Sequence, residues 1–326
     1  MAAIAFQDVA EAARRLDGRV VPTPLLENAR LNQRVGGRVL LKPEVLQHSG
    51  SFKFRGAFNR LAQLSEEERR RGVVAWSSGN HAQGVAAAAA LLGIRATIVM
   101  PADAPALKIG NTRGYGAEIR LYDRRTENRE AIAQAIAGER GCATVPPYDH
   151  PQVMAGQGTV GLEIVAQARA LGVEPDDVVA PCGGGGLMSG LATAVGHLLP
   201  GARLWSAEPA GFDDTARSLA AGERVANEGG RTTLCDALMT PTPGELTFPV
   251  NRALLAGGLA VTDGEVMDAM AYAFAVLKLV VEPGGAVALA AVLSGKLPAA
   301  GRTVAVVLSG GNVAPDTFAT ALAASA

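Results

Sequence analysis

Lys53 sits between two aromatic residues, Phe52 and Phe54, in the segment HSGSFKFRGAFNR, where a helical pattern begins. An amine in that setting is paired, stretched out to water or chemically reactive. Held among apolar groups, it sheds its proton more readily and becomes a nucleophile and a base. Three other stretches could work with it. PCGGGGLMSG places four glycines in a row, Gly183 to Gly186, between a strand-like run and a helical one. A tight turn needs one or two glycines; four expose several backbone N–H groups beside a helix N-terminus, which suits a monophosphate. No GK[ST] follows, so this is not the nucleotide P-loop, and the GxGxxG spacing of dinucleotide sites is absent. The turn WSSGNHAQG gathers Ser77, Ser78, Asn80 and His81 ahead of another helix. One of them would serve as an N-cap; the set predicts a carboxylate or ring oxygen held there. Ser309, in VVLSGGN, emerges at the carboxyl end of the last apolar strand, the edge where open parallel sheets bind ligands. Taken alone, that serine is accounted for by a local turn.

The elements that must position these residues follow from periodicity. Apolar, β-branched runs at 72–78, 95–101 and 117–123 read as buried strands, each followed by a helical stretch; the third of these helices is expected from about Asn128 to Ala137. VPPYDHP, with Pro146, Pro147 and Pro151, marks a crossing point between lobes. Beyond it the pattern predicts a helix near 157–171, strand DDVVAPCG, helix GLMSGLATAVGHLL and strand RLWSAEP. A long helix near 263–280, another after Gly285 and the strand TVAVVLSGG complete the series. The N-terminal MAAIAFQDVAEAARRL reads as a helix, not as an export signal. Strands alternating with helical crossovers imply an α/β fold with two parallel-sheet lobes and a cleft between them. No internal repeat, low-complexity tract or heptad pattern interrupts it.

Composition narrows the function classes. The 326 residues suffice for two lobes, and 30 basic against 31 acidic residues leave a net charge of −1. That balance argues against non-specific nucleic-acid binding, which needs a positive field. The longest small-apolar run, Val85 to Leu92, is too short to span a bilayer. Three scattered cysteines, Cys142, Cys182 and Cys235, form neither a disulfide framework nor a CxxC pair, so a reducing cytoplasm is the expected location.

In this order, SFKFRGA, SSGNHAQG, CGGGGLMSG and LSGGN resemble the fold-type II pyridoxal-phosphate enzymes, in the serine/threonine dehydratase and serine racemase branch. The resemblance runs from PTPL at Pro22 to Asn312. It implies a large cofactor-binding domain from 1–70 and 149–326, and a small substrate-side domain over 71–148. It implies that Lys53 forms a Schiff base with the cofactor aldehyde, with Phe52 packed near the pyridine ring. Gly183, Gly184, Gly185, Gly186 and the Leu187 amide would hold the phosphate, Asn80 the ring hydroxyl and Ser309 the pyridine nitrogen. Ser77, Ser78, Asn80 and His81 would surround the substrate α-carboxylate, with Ser78 as a second acid/base group opposite Lys53. A serine at the ring nitrogen leaves the pyridine unprotonated, which favours expelling a β-substituent over transamination.

The resemblance further implies a β-elimination lyase that converts threonine or serine to a 2-oxo acid and ammonia. Its rivals are a 3-hydroxyaspartate or phenylserine dehydratase, a serine racemase and, from another class, a phosphate-ligand binding protein without catalysis. SAEPAGFDD would offer Glu208, Asp214 and the Phe212 carbonyl to Mg²⁺ or Ca²⁺; a solvated acidic loop is the competing account. Arg129 matches a position where the racemase branch carries an arginine that can reach an acidic ligand, although a helix-surface role is commoner. Asp236-Ala237 departs from the family's usual DG, and Tyr148 stands at a position that varies within the branch. The family implies a homodimer or homotetramer and, with no regulatory domain after SGGN, no amino-acid feedback.

Overall fold

The computed structural model describes residues 3–324, arranged around two sheets. The larger has six strands in the order Leu26–Glu27, Arg38–Pro43, Thr303–Leu308, Asp177–Pro181, Arg203–Pro209 and Gly257–Val261. Its first pair is antiparallel and the remaining pairs are parallel. The smaller sheet orders Glu118–Tyr122, Ala96–Pro101, Val73–Trp76 and Ala143–Thr144, all parallel. Val73–Trp76, Ala96–Pro101 and Asp177–Pro181 are buried along their whole length, as a parallel sheet covered on both faces requires. The sequence pattern anticipates three strands of each sheet; Leu26–Glu27, Arg38–Pro43 and Gly257–Val261 of the larger and Ala143–Thr144 of the smaller are additions it did not mark.

Helix boundaries depart from expectation in informative ways. The first helix spans Phe6–Leu16; of the expected N-terminal helix, residues 1–2 lie outside the described residues. The helix after the proline crossing starts at Pro151, six residues before the expected 157, because His150 caps it by accepting the Gln152 N–H and proline suits the first turn. The expected single helix over 263–280 is instead an α-helix, Asp263–Tyr272, passing into a π-turn at Ala273–Leu277. Lys278, left-handed at φ 62°, ends it. The following helix runs Pro283–Leu293, so the residue before it, Glu282, is its N-cap. Helix Arg129–Arg140 runs three residues past the expected end and stops at left-handed Gly141.

Helix Lys53–Leu61 links the two sheets' surroundings, packing on Asn80–Leu92 on one side and Pro151–Ala170 on the other. Phe54, Ala57, Phe58 and Leu61 are buried with the alanine-rich face of Asn80–Leu92. That helix is buried on every face from Asn80 to Ala89, which is why its middle is apolar all round.

Candidate active site

Lys53 is the first residue of its helix, and the chain entering it is tied down on the carboxyl side of strand Thr303–Leu308. The Phe52 N–H donates to the Ser309 carbonyl at 3.1 Å, and Ser51 bridges Gly310. Lys53 and Ser309 are therefore placed together by backbone. Lys53 Nζ donates to the Pro147 carbonyl at 2.7 Å and lies 5.2 Å from the Phe52 ring centre. Burial lowers the amine to about 8, against a smaller upward pull from Glu282.

Two helix N-termini open onto the same cavity. Helix Gly186–Leu198 follows left-handed Gly185 (φ 91°), and helix Asn80–Leu92 follows Gly79; neither has a side-chain cap. Their free amides and positive dipole ends face the cavity from opposite lobes, giving two anion positions. The glycine run has a second physical reason that the sequence did not disclose. A Cβ at Gly184 would fall 2.4 Å from the Tyr148 ring, so the ring lies directly on the loop. Thr247 holds the loop from behind, its hydroxyl donating to the Gly184 carbonyl at 2.6 Å.

The cavity is lined by all the residues expected for cofactor and substrate: Phe52, Lys53, Gly183–Gly186, Leu187 and Ser309, with Ser77, Ser78, Asn80, His81 and Arg129. Ser77 is partly spent on its own turn, accepting the Gly79 N–H at 3.1 Å. Arg129 is exposed at the rim, at the start of its helix, so it is at once a surface residue and a cleft residue. Asn80 is held at both ends of its amide: Nδ2 donates to Glu282, and Oδ1 accepts from Asn312 at 2.8 Å. An amide nitrogen has two N–H groups, so one remains for a ligand.

Three charged lining residues, Glu282, Lys108 and Asp236, were not foreseen as site residues. Glu282, at the end of an apolar run before PGG, is 2% exposed, and burial with help from Asp236 raises it to about 7. An acid closing an apolar run ahead of a helix-starting proline was the available signal. Lys108 reaches from the smaller sheet's side to Asp236 at 2.5 Å, joining the lobes across the cavity mouth. Nothing in APALKIG or TTLCDAL marks that pairing; it is made by topology alone.

Glu208, Phe212 and Asp214 do not line this cavity; they sit behind it, where Cys182 Sγ meets Thr215 Oγ1 at 3.4 Å. Both Glu208 oxygens accept backbone N–H groups, from Thr215 and Ala216. One Asp214 oxygen accepts from Asn227 at 2.6 Å, and the other, Oδ2, is buried without a partner. Burial raises Glu208 well above the carboxylate range and Asp214 to about 6. The solvated-loop account fails, because both acids are fully buried. Among the described residues no group of three or more His, Cys, Asp or Glu converges on a metal position.

Two parallel-sheet lobes with a lysine, a glycine loop and two helix N-termini meeting in the cleft define a phosphate-cofactor enzyme of fold type II. The chain belongs to the pyridoxal-phosphate dependent enzyme family, whose pattern matches residues 16–310. It is 42% identical to the L-threo-3-hydroxyaspartate ammonia-lyase of Saccharomyces cerevisiae over 97% of this chain and 95% of that protein. It is 43% identical to the L-threonine ammonia-lyase of Thermotoga maritima, over 95% of this chain and 76% of that one. Among solved structures, the threonine deaminase of T.th. superimposes with a TM-score of 0.89 at 46% identity, covering 95% of this chain and 99% of that chain. Maize serine racemase gives 0.92 at 37% identity, with 98% and 97% covered.

Proposed function

We propose that this protein is a β-eliminating ammonia-lyase that converts a 3-hydroxy amino acid, threonine or serine foremost, to a 2-oxo acid and ammonia. The observation that carries the reading is the meeting of a desolvated Lys53 with two side-chain-free helix N-termini in one cavity. Gly183–Gly186 and the Leu187 amide fit a phosphate, Ser309 a ring nitrogen and the second Asn80 N–H a ring hydroxyl. Pyridoxal phosphate, when bound, supplies the electron sink for breaking bonds at Cα. The chain's own part is positional and protonic. The N-terminus of Asn80–Leu92 holds the substrate α-carboxylate, and Lys53, whose pKa lowered to about 8 brings its neutral form within reach near neutral pH, takes the Cα proton. Ser78 serves as the proton carrier on the opposite face.

A second reading is favoured by one feature. Arg129 adds a cation at the cavity rim, beyond the Lys108–Asp236 pair, which suits a second carboxylate and hence 3-hydroxyaspartate. A panel of L-threonine, L-serine and L-threo-3-hydroxyaspartate, scored for 2-oxo acid and for D-isomer, with and without Mg²⁺, separates the readings. Release of 2-oxo acid from threonine or serine supports the lyase. D-isomer without 2-oxo acid would overturn it in favour of racemisation.

A divalent cation fits Glu208, Asp214 and the Phe212 carbonyl, because it would supply the partner that buried Asp214 Oδ2 lacks and relieve two desolvated acids. A homodimer or homotetramer would cover exposed Leu46, Phe274 and Val280. A cytoplasmic location accords with three buried, unpaired cysteines, and no described helix is long and apolar enough to cross a membrane.

A further inference from the structure

His81 lines the cavity and is only 2% exposed. Its Nε2 lies 2.8 Å from the Val145 carbonyl oxygen. A carbonyl only accepts, so Nε2 carries the proton. Nδ1 is buried with no partner. A second ring proton is strongly disfavoured, since burial and then the nearby Lys53 charge lower the imidazole to about 3. Across the neutral range Nδ1 is therefore a bare lone pair, an unsatisfied acceptor in the wall of a polar cavity. Such an atom repels a carboxylate, so the ring cannot share in holding the substrate α-carboxylate. That task falls to the backbone amides at the start of Asn80–Leu92.

We infer that the His81 ring recognises the substrate's 3-hydroxyl, accepting its hydrogen bond at Nδ1. The inference rests on the reading of the protein as a lyase of 3-hydroxy amino acids. In such a substrate the α-amine is committed to the cofactor and the α-carboxylate is an acceptor, so the hydroxyl is the donor left to satisfy Nδ1. With its proton turned toward His81, the hydroxyl directs its oxygen lone pairs away from the ring, where the departing oxygen can be protonated. His81 supplies no proton; it orients the leaving group and selects substrates that carry a donor there.

The test compares L-serine with 3-chloro-L-alanine, whose leaving group has no proton to give, in holoenzyme of wild type, His81→Phe and His81→Asn. Phenylalanine keeps the ring and removes the acceptor; asparagine returns an acceptor near the Nδ1 position. For His81→Phe, kcat/KM on serine falls roughly 10- to 100-fold, the range for orphaning one buried hydrogen-bonding group. On chloroalanine the fall is several-fold smaller, so the serine-to-chloroalanine ratio drops, and the dissociation constant for L-alanine changes less than kcat/KM on serine. His81→Asn recovers part of the serine rate, and the serine-to-chloroalanine ratio stays flat from pH 6 to 9, as expected for a ring that does not titrate there. Equal losses on both substrates would overturn the inference, leaving His81 a purely structural residue. A wild type that releases 2-oxo acid from chloroalanine but from no hydroxy amino acid would overturn the lyase reading, and this inference with it.

Discussion

Glu44 and Glu282 are both carboxylates buried to within a few per cent, at 0% and 2% exposure, yet the protein moves them in opposite directions. Burial pushes Glu44 up, but the Arg55 guanidinium more than offsets it and holds the acid below its ordinary value. Arg55 grips it with two bonds, at 2.7 and 2.8 Å, and reaches Glu163 at 2.6 Å. Lys42 completes the group, donating to Glu163 at 2.6 Å and to the Thr23 carbonyl. Here two cations meet two anions and nearly every lone pair is used. Glu282, by contrast, has one amide from Asn80 and no cation in bonding range; Lys53 is turned to the Pro147 carbonyl and Lys108 to Asp236. It is raised to about 7. Arg55 and Lys53 are two residues apart on one helix, so the same element carries a locked charge cluster and an adjustable one. Full pairing makes a scaffold; incomplete pairing leaves protons that can be moved near neutral pH.

Four substitutions break or sharpen this contrast. Arg55→Met leaves Glu44 and Glu163 without their guanidinium, and the expected loss is about 3–5 kcal/mol in urea unfolding of the cofactor-free protein. A loss under about 1 kcal/mol would mean that the cluster is not the scaffold described. Glu282→Gln has a smaller effect, confined to one pH window. The folded acid titrates at about 7 and its ordinary value is 4.5, so the unfolded chain gives up its proton first as pH rises. Wild-type stability then falls by about 3 kcal/mol between those values and levels off above them. The glutamine variant escapes that fall, so melting curves of the cofactor-free proteins coincide at pH 4.5 and separate by pH 8, with the variant more stable. Parallel curves would contradict the raised acid. Lys108→Met is the mildest: Asp236 is about half exposed, so the ion pair itself contributes at most about 1 kcal/mol. Its sharper signature is the Glu282 titration, which Lys108 holds down and Asp236 pushes up. The melting-curve midpoint moves to higher pH in Lys108→Met and to lower pH in Asp236→Asn; motion of both in one direction would refute the assignment.

Sequence made legible what repeats a local rule. The alternation of β-branched runs with alanine-rich helices marked three strands of each sheet, missing the short or edge strands such as Ala143–Thr144 and Gly257–Val261, and Lys53, the glycine run and the donor-rich turn were visible as local groups. Contacts made by residues far apart in the chain were not legible. Glu282 and Asn80 are 202 positions apart, and Lys108 and Asp236 are 128 apart. Nor did periodicity reveal that Tyr148 occupies the face of Gly184, or that His81 spends its proton on Val145. The helix expected over 263–280 departs from a straight α-helix because its apolar pattern continues past Tyr272, and nothing local in it marks the π-turn that Lys278 closes.

The central claim is that, among the protein's lysines, Lys53 is the one placed to bind the cofactor covalently, because it is desolvated yet has no carboxylate in bonding range. Lys42 is fully buried but is held by Glu163, and Lys108 is held by Asp236. Mixing the protein with pyridoxal phosphate, reducing with borohydride and mapping the labelled peptide by mass spectrometry tests this directly. The label is expected on Lys53, with none on the Lys53→Ala variant. Label on Lys42 or Lys108, or no label on the wild type, would contradict the account.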